Sequence, residues 1–325
     1  MRILVLTEDW PGVPASSGAV LAAKAWAGVN PAVEVTARAL GGGGARTADA
    51  WAGERGVVTD AAGLALVEAV AVEGVTLLAP AGGQTRWNPA ALGAALRTLA
   101  QSSQTGPVVV PVGDDEPAGD ATALWGGDVD AMRVALRGLD LQVLVRADRP
   151  LVGFHGMSNA LRDGREGDAA LAVAAQAQEE RWSAVARATD PGARSSLLGP
   201  ARLSDAPGTG AAGGLAYCLA AVGAHLTPAS ARLADLAQAG DVEPDVVVAV
   251  SGILTPRTLD HGIVPAASTL AARRAVPCVV VAPEVHVGRR DLMAAGVVGA
   301  HEGEEGEEGL VDQLARVAQT WTPAR

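Results

Sequence analysis

The residues with acid–base chemistry lie in short segments that follow predicted strands. Glu8 and Asp9 directly follow the first apolar run of the chain, and Asp260 and His261 lie in the segment after the run 245–251. Side chains of this kind can move a proton in general acid–base catalysis. An Asp-His pair in a loop is also typical of a turn with a solvated ring, so both interpretations remain open.

A second group of acidic residues indicates a weak candidate metal site. Asp114 and Asp115 follow the apolar run 108–112, and their carboxylates could hold Mg²⁺. An acidic turn without a metal explains the same pattern slightly better. The histidines do not add a zinc site, because no pair has the spacing of metal ligands on one helix face.

Two glycine-rich segments could bring the backbone close to an anionic ligand. The first follows a predicted strand at 33–39, and the second runs into an apolar helix predicted at 216–226. Glycine permits a close approach, and the unpaired N–H groups and dipole of a helix start favour a phosphate. The pattern alone favours close packing of the second segment against a sheet. The candidate phosphate-binding residues are Gly41, Gly42, Gly43, Gly44, Gly208, Gly210, Gly213 and Gly214.

The elements that must position these segments alternate between strand and helix. Apolar runs bounded by Gly, Pro and Asp predict strands at 2–7, 33–39, 75–78, 108–112, 141–145, 245–251, 278–282 and 297–299. Helical patterns are found at 16–29, 47–52, 169–187, 216–226, 266–274 and 310–320. Ser16 or Ser17 is the expected cap of the first helix. We expect a loop at 191–207. We also expect a mobile acidic surface loop at 302–308.

This order of elements predicts an α/β fold with two α/β domains. The continuous apolar runs 246–250 and 279–281 suit parallel strands that are buried on both faces. We therefore expect an open parallel sheet of Rossmann or flavodoxin type, built from both chain ends. Residues 1–54 plus 240–325 would form this domain, and residues 55–239 the inserted α/β domain. Ligands bind such sheets in the loops at the carboxyl ends of the strands.

Composition restricts the classes of partner. The 325 residues are 49% hydrophobic and carry a net charge of −11, so a large core is expected and a nucleic acid or anionic membrane is not. The two cysteines lie in apolar surroundings, which is typical of core residues in a reducing compartment. No uninterrupted apolar run approaches membrane-spanning length, and no signal-peptide pattern is recognised. These features favour a cytoplasmic protein.

Several segments resemble motifs of the glycerate kinase family, whose enzymes transfer the γ-phosphate of ATP to D-glycerate. Residues 207–215, PGTGAAGGL, resemble the family signature PGAGAAGGLG. Residues 8–13 and 41–47 take the places of the DSFKGS and ADGGEGT motifs. Residues 148–156 match DVxNPLLGxxGA, and residues 251–265 match TGEGRLDxQTxxGKxP with one residue fewer.

The resemblance implies two α/β domains with the substrates in the cleft, and ATP and Mg²⁺ as cofactors of an active enzyme. It adds Asp148 to Glu8, Asp9, Asp260 and His261 as a catalytic candidate. The substrate-pocket candidates that it implies are Trp10, Asp148, Arg149, Arg165, Ser251 and Thr255.

The chain departs from the family at the charged positions. Pro11 and Ile263 take the places of lysines, and Gly42 and Ala45 take the places of an aspartate and a glutamate. Arg149 and Arg165 stand where the family has Asn and Lys, and these arginines could restore some positive charge. Two interpretations follow. In the first, the chain is a glycerate kinase-like protein with weak or lost activity. In the second, it is a non-catalytic ligand-binding or regulatory protein that has no cofactor and whose ligand would be a hydroxy acid or a nucleotide.

Overall fold

Two β-sheets organise the chain in a computed structural model, which describes residues 1–102, 105–162, 165, 167–193 and 200–322. The strands are β1 (Arg2–Thr7), β2 (Glu34–Ala39), β3 (Glu54–Thr59), β4 (Ala65–Val72), β5 (Val75–Pro80), β6 (Val108–Gly113), β7 (Leu141–Val145), β8 (His225–Pro228), β9 (Val246–Val250), β10 (Cys278–Ala282) and β11 (Gly299–Glu302). The helices are α1 (Ala15–Val29), α2 (Pro89–Gln101), α3 (Val129–Ala135), α4 (Met157–Ala160), α5 (Ala169–Thr189), α6 (Leu215–Ala221), α7 (Ala229–Leu236), α8 (Pro256–His261), α9 (Val264–Arg274), α10 (Arg289–Ala294) and α11 (Gly306–Trp321).

The first compact unit contains Met1–Gly43, Thr47–Ala52 and Ala229–Arg325. Its sheet has five parallel strands in the order β11-β10-β9-β1-β2, so both chain ends contribute to it as the sequence predicts. The central strands β9 and β10 are buried along their whole length. Valine-rich runs suit this position because helices cover both faces of a parallel sheet.

The second unit contains Gly44–Arg46 and Gly53–Pro228. Its sheet has six strands in the order β3-β4-β5-β6-β7-β8. Strands β5 to β8 are parallel, whereas β3, β4 and β5 are antiparallel neighbours. The fold class is therefore the predicted α/β class with two mainly parallel sheets. The sequence analysis predicted neither β3 nor β4, and β3 is exposed and lacks an apolar run.

Two predicted segments differ in the structure. The helix predicted at 216–226 ends at Ala221, and Leu226 instead pairs in β8 with Val143 of β7. Gly223 has a φ of 106°, a left-handed conformation that stops the helix. The predicted acidic loop at 302–308 is partly ordered, since α11 begins at Gly306 and its first turn places acidic side chains at the positive end of the helix dipole.

Two further boundaries also differ, and one segment is incompletely described. The serine cap predicted for α1 is wrong, because the helix begins at Ala15 and its N–H donates to Asp9 Oδ1 over 2.8 Å. The last strand is β11 rather than 297–299. Of the loop predicted at 191–207, residues 194–199 lie outside the described residues. In the described part of the chain, no helix is both long and apolar enough to cross a membrane.

Candidate functional site

In the first unit, Glu8 and Ser251 lie together where β1 and β9 end. The Glu8 N–H donates to Val250 O over 2.9 Å, which places the two loops side by side. Ser251 Oγ donates to Glu8 Oε2 over 3.4 Å and to Ile253 O over 3.0 Å. The residues are only 7% and 1% exposed, respectively. The structure thus brings together two of the predicted site residues around a buried carboxylate.

The start of α9 lies close to the same carboxylate. A Cβ added at Gly262 would come within 3.4 Å of Glu8 Oε1 and within 2.6 Å of Thr258 O, so this position has little room for a side chain. Helix α9 begins two residues later, at Val264. The positive end of its dipole is thus near the Glu8 carboxylate. The arrangement suits Glu8 as an acceptor for a substrate hydroxyl.

Asp9 and Trp10 have structural explanations. Asp9 accepts the first N–H of α1, as a helix-capping carboxylate does. Trp10 was expected to line the pocket, but its side chain is buried in the hydrophobic core with Val13 and Leu310. The ring therefore packs in the core of the first unit, and its role as a pocket wall stays a prediction.

The predicted loop that carries Thr255, Asp260 and His261 is the short helix α8. Thr255 is its N-cap, and the Thr258 N–H donates to Thr255 Oγ1 over 3.2 Å. Asp260 is exposed and His261 is partly buried, and both lie in the last turn. Adjacent residues of a helix do not face each other, so the structure does not bring these two together as an acid–base pair. Partial burial lowers the pKa of Arg257, a cation of this helix that the sequence analysis did not single out.

The first glycine-rich segment follows β2. The N–H groups of Leu40 and Gly41 donate to Thr7 O over 2.9 and 3.4 Å. Gly41 has a φ of 73°, and an added Cβ would approach Thr47 O to 3.1 Å. Gly41 is therefore required by the turn itself. A phosphate-binding role for Gly42, Gly43 and Gly44 remains a prediction.

In the second unit, Arg149 pairs with Asp114 where β7 and β6 end. Arg149 Nη2 lies 2.7 Å from Asp114 Oδ2, and both side chains are partly buried. Asp115 and Asp148 are exposed on the same two loops. The substrate-binding cation and the metal-binding carboxylate predicted from the sequence thus bind each other.

The carboxylates do not fit a metal centre held by the protein alone. Among the described residues, no group of three or more His, Cys, Asp or Glu side chains is placed to hold a metal ion. Asp114, one of the two weak candidates, already binds the Arg149 guanidinium. Arg165, expected in the substrate pocket, is exposed and its Nη2 donates to Leu161 O over 3.4 Å.

The second glycine-rich segment packs against the loop that follows β7. The N–H groups of Gly208 and Gly210 donate to the carbonyl oxygens of Asp148 and Arg149 over 2.9 and 3.0 Å. A Cβ added at Gly210 would collide with Pro150 O. These two N–H groups are engaged by the protein, so the phosphate cradle predicted there is not formed by them.

The remaining two glycines of this segment have left-handed backbone conformations. Gly213 has a φ of 59° and lies against Pro117 and Glu116, while Gly214 has a φ of 88° and lies against the Trp182 ring. Close packing and backbone conformation account for both. Their assignment to a nucleotide stays a prediction.

One polar loop at this sheet edge was not recognised from the sequence. After β5, Gly82 and Gly83 form an exposed turn with φ values of 65° and 71°, followed by exposed Gln84, Thr85 and Arg86. The Gly82 N–H donates to Glu68 Oε1 over 3.0 Å. The signal in the sequence was the glycine pair ahead of the Asn88 cap of α2. Since β5, β6 and β7 are parallel, this loop shares an edge with those of Asp114 and Arg149.

The chain is thus an α/β protein with two units. In each unit, polar loops follow the carboxyl ends of parallel strands. A model of the glycerate kinase family matches residues 117–323. The chain therefore belongs to the glycerate kinase family, and the resemblance noted in the sequence is confirmed.

A solved structure supports the same fold, and two sequence relatives match about half of the chain. The crystal structure of a protein named putative glycerate kinase 2 from Salmonella typhimurium LT2 has a TM-score of 0.65 and 16% identity, covering 98% of this chain and 96% of that chain. Uncharacterized proteins from Mycobacterium bovis and Mycobacterium tuberculosis are 26% identical over 176 residues, which is 54% of this chain. The aligned part spans 44% of the length of these two relatives.

Proposed function

We propose that this glycerate kinase-like protein binds a nucleotide and a small hydroxy acid, and that it transfers phosphate slowly or not at all. Family membership supports the ligand classes, since the family is ATP-dependent. The observation that carries the loss of activity is the burial of apolar side chains where the family motifs have charges. Ile263 is 1% exposed and Ala45 is 8% exposed.

Phosphoryl transfer depends on preorganised charge around the transferred group. Ile263 and Ala45 cannot supply that charge, and Pro11 has neither a charge nor an N–H. Arg149 carries a positive charge, but Asp114 lies 2.7 Å from it and partly neutralises it. Losing one preorganised charge costs about a hundred- to thousandfold in rate. One such loss already brings a typical kinase turnover of about 1 s⁻¹ to about 0.01 s⁻¹ or less.

The polar groups that remain suit binding. We assign the buried Glu8 carboxylate, beside Ser251, to the hydroxyl of the hydroxy acid. The exposed Arg86 and Arg165 could contact phosphates. Any Mg²⁺ would be carried by the nucleotide phosphates, because the described carboxylates do not form a metal site of their own.

A coupled assay for ADP release with D-glycerate tests the proposed loss of activity. We expect turnover of about 0.01 s⁻¹ or less, and turnover of about 1 s⁻¹ or faster, the ordinary range of kinases, would contradict it. Thermal-shift measurements with ATP·Mg²⁺, ADP and D-glycerate test binding, since a ligand that binds only the folded state raises the melting temperature.

Two variants make the binding test specific. Glu8→Gln should abolish the shift with D-glycerate, whereas Glu34→Gln, a change of an exposed carboxylate on β2, should leave it intact. A shift with ligands but no detectable turnover would favour the non-catalytic ligand-binding protein. If none of the three ligands shifts the melting temperature, the proposal is wrong.

A further inference from the structure

The single phenylalanine of the chain is almost fully exposed. Phe154 is 84% exposed, and its neighbour His155 is also exposed. The two residues lie on the loop that follows β7, a few positions after Arg149. An exposed aromatic residue gains little from folding, and it stands out in a chain with 3% aromatic residues.

The backbone beneath the two rings is held in place by hydrogen bonds. The Gly153 N–H donates to Glu179 Oε1 over 2.8 Å, and the Gly156 N–H donates to Gly153 O over 2.9 Å. Asn159 Nδ2 donates to Phe154 O over 2.7 Å. The turn is thus attached to α4 and α5, and the rings project from a fixed support.

The rings also fix each other's orientation. Their centroids are 4.9 Å apart and their planes are inclined by 84°, an edge-to-face contact. An edge-to-face contact covers the edge of one ring and one face of the other, and Phe154 remains 84% exposed. Such an exposed ring can stack on a planar ligand of similar size.

We infer that Phe154 and His155 form a stacking platform for the planar base of a nucleotide. The inference rests on the proposed function, which supplies the nucleotide. Stacking between a base and an aromatic side chain is a frequent way to hold a base, and it tolerates different bases. The platform lies on the same loop as Asp148 and Arg149, at the sheet edge where ligands bind in open α/β sheets.

The flanking residues favour a base over a protein partner. A protein hot spot is surrounded by contacts that exclude water. Here Gly153 and Asn159, which border the rings, are exposed and carry no apolar side chain. The exposed aromatic side chains of this turn are the two rings of Phe154 and His155, which suits a base.

The platform is tested by titrating ADP, ATP and inorganic triphosphate into the full-length protein by calorimetry. Phe154→Ala should weaken ADP and ATP binding by about five- to 150-fold, the effect of losing one base–aromatic stack. Binding of inorganic triphosphate, which has no base, should be unchanged. Phe154→Trp should keep the affinity of the original protein. Met293→Ala removes another exposed apolar side chain and serves as the matched control.

The outcomes separate this inference from the proposed function. If the unaltered protein binds ADP and Phe154→Ala binds it equally well, the platform is wrong and the proposed function stands. Equal weakening of ADP and inorganic triphosphate would also overturn the platform, because the loss would not concern the base. If the unaltered protein binds no nucleotide, both the platform and the nucleotide part of the proposed function are wrong.

Discussion

Gly214 provides the sharpest test of how the glycine-rich segment is built. Its φ is 88°, and a Cβ added there would lie 2.5 Å from Trp182 Cζ2 and 2.6 Å from Trp182 Cη2. The Trp182 ring is buried and cannot swing into solvent. Gly214→Ala therefore combines a left-handed backbone, which costs about 1–2 kcal/mol for an L-residue, with overpacking, which costs about 1–3 kcal/mol.

Gly83 supplies a matched control for the backbone contribution. Its φ is 71°, and an added Cβ would meet no atom within 4 Å. Gly83→Ala should lower the free energy of unfolding by the conformational cost alone, about 1–2 kcal/mol. Gly214→Ala should lower it by about 2–5 kcal/mol, and the difference between the two variants measures the collision with Trp182.

Urea unfolding, followed by circular dichroism and tryptophan fluorescence, gives both free energies. Trp182→Phe should then relieve part of the collision, so that the double variant with Gly214→Ala is more stable than the sum of the two single changes by at least about 0.5 kcal/mol. Equal destabilisation by Gly214→Ala and Gly83→Ala would refute the packing explanation. A loss of nucleotide affinity without a loss of stability would instead favour the phosphate-binding role.

The structure also predicts the effects of three other changes on stability. Asp9→Ala removes the acceptor for the Ala15 N–H and should lower the free energy of unfolding by about 0.5–2 kcal/mol in urea. Burial raises the pKa of Cys278 from 9.0 to about 12, so its contribution to stability is complete below pH 9 and is lost as the pH rises towards 12. At pH 10 we expect the free energy of unfolding to be about 1.4 kcal/mol lower than it is well below pH 9. The Cys278→Ala variant should not show this loss in urea unfolding. A double-mutant cycle with Asp114→Asn and Arg149→Gln should give a coupling of about 1 kcal/mol, and a coupling near zero would show that the pair contributes nothing.

The parallel sheet of the first unit could be predicted from the sequence because its strands carry a strong signal. Cys278–Ala282 is a continuous apolar run, and the predicted bounds match those of β10. The antiparallel strand β3 has no such signal, since its residues are exposed and its pairing partner β4 decides its conformation. Buried strands can therefore be predicted from their apolar sequence. The conformation of an exposed strand such as β3 is instead determined by the sheet with which it pairs.

The candidate site was predictable only as a set of loops. The position of Glu8 and Ser251 after strands indicated a shared edge, and their contact follows from the parallel pairing of β1 with β9. The pair of Arg149 and Asp114 was not predictable, since the two residues are 35 positions apart and meet because β6 and β7 are neighbours. Which side chains pair at an edge depends on tertiary geometry that no local pattern contains.

The burial of Ile263 makes a lysine difficult to place at this position, where the resemblance to the family implies one. The side chain is 1% exposed and lies directly before α9. A lysine at a fully buried position must lose its hydration, which lowers its pKa and destabilises the charged form. The packing around Ile263 suits an apolar residue, and Ile263→Lys alone would not create a charged environment there. Ile263 belongs to the hydrophobic core of the first unit. Because this core cannot easily accept a charge, we expect this chain to bind its ligands but to transfer phosphate slowly or not at all.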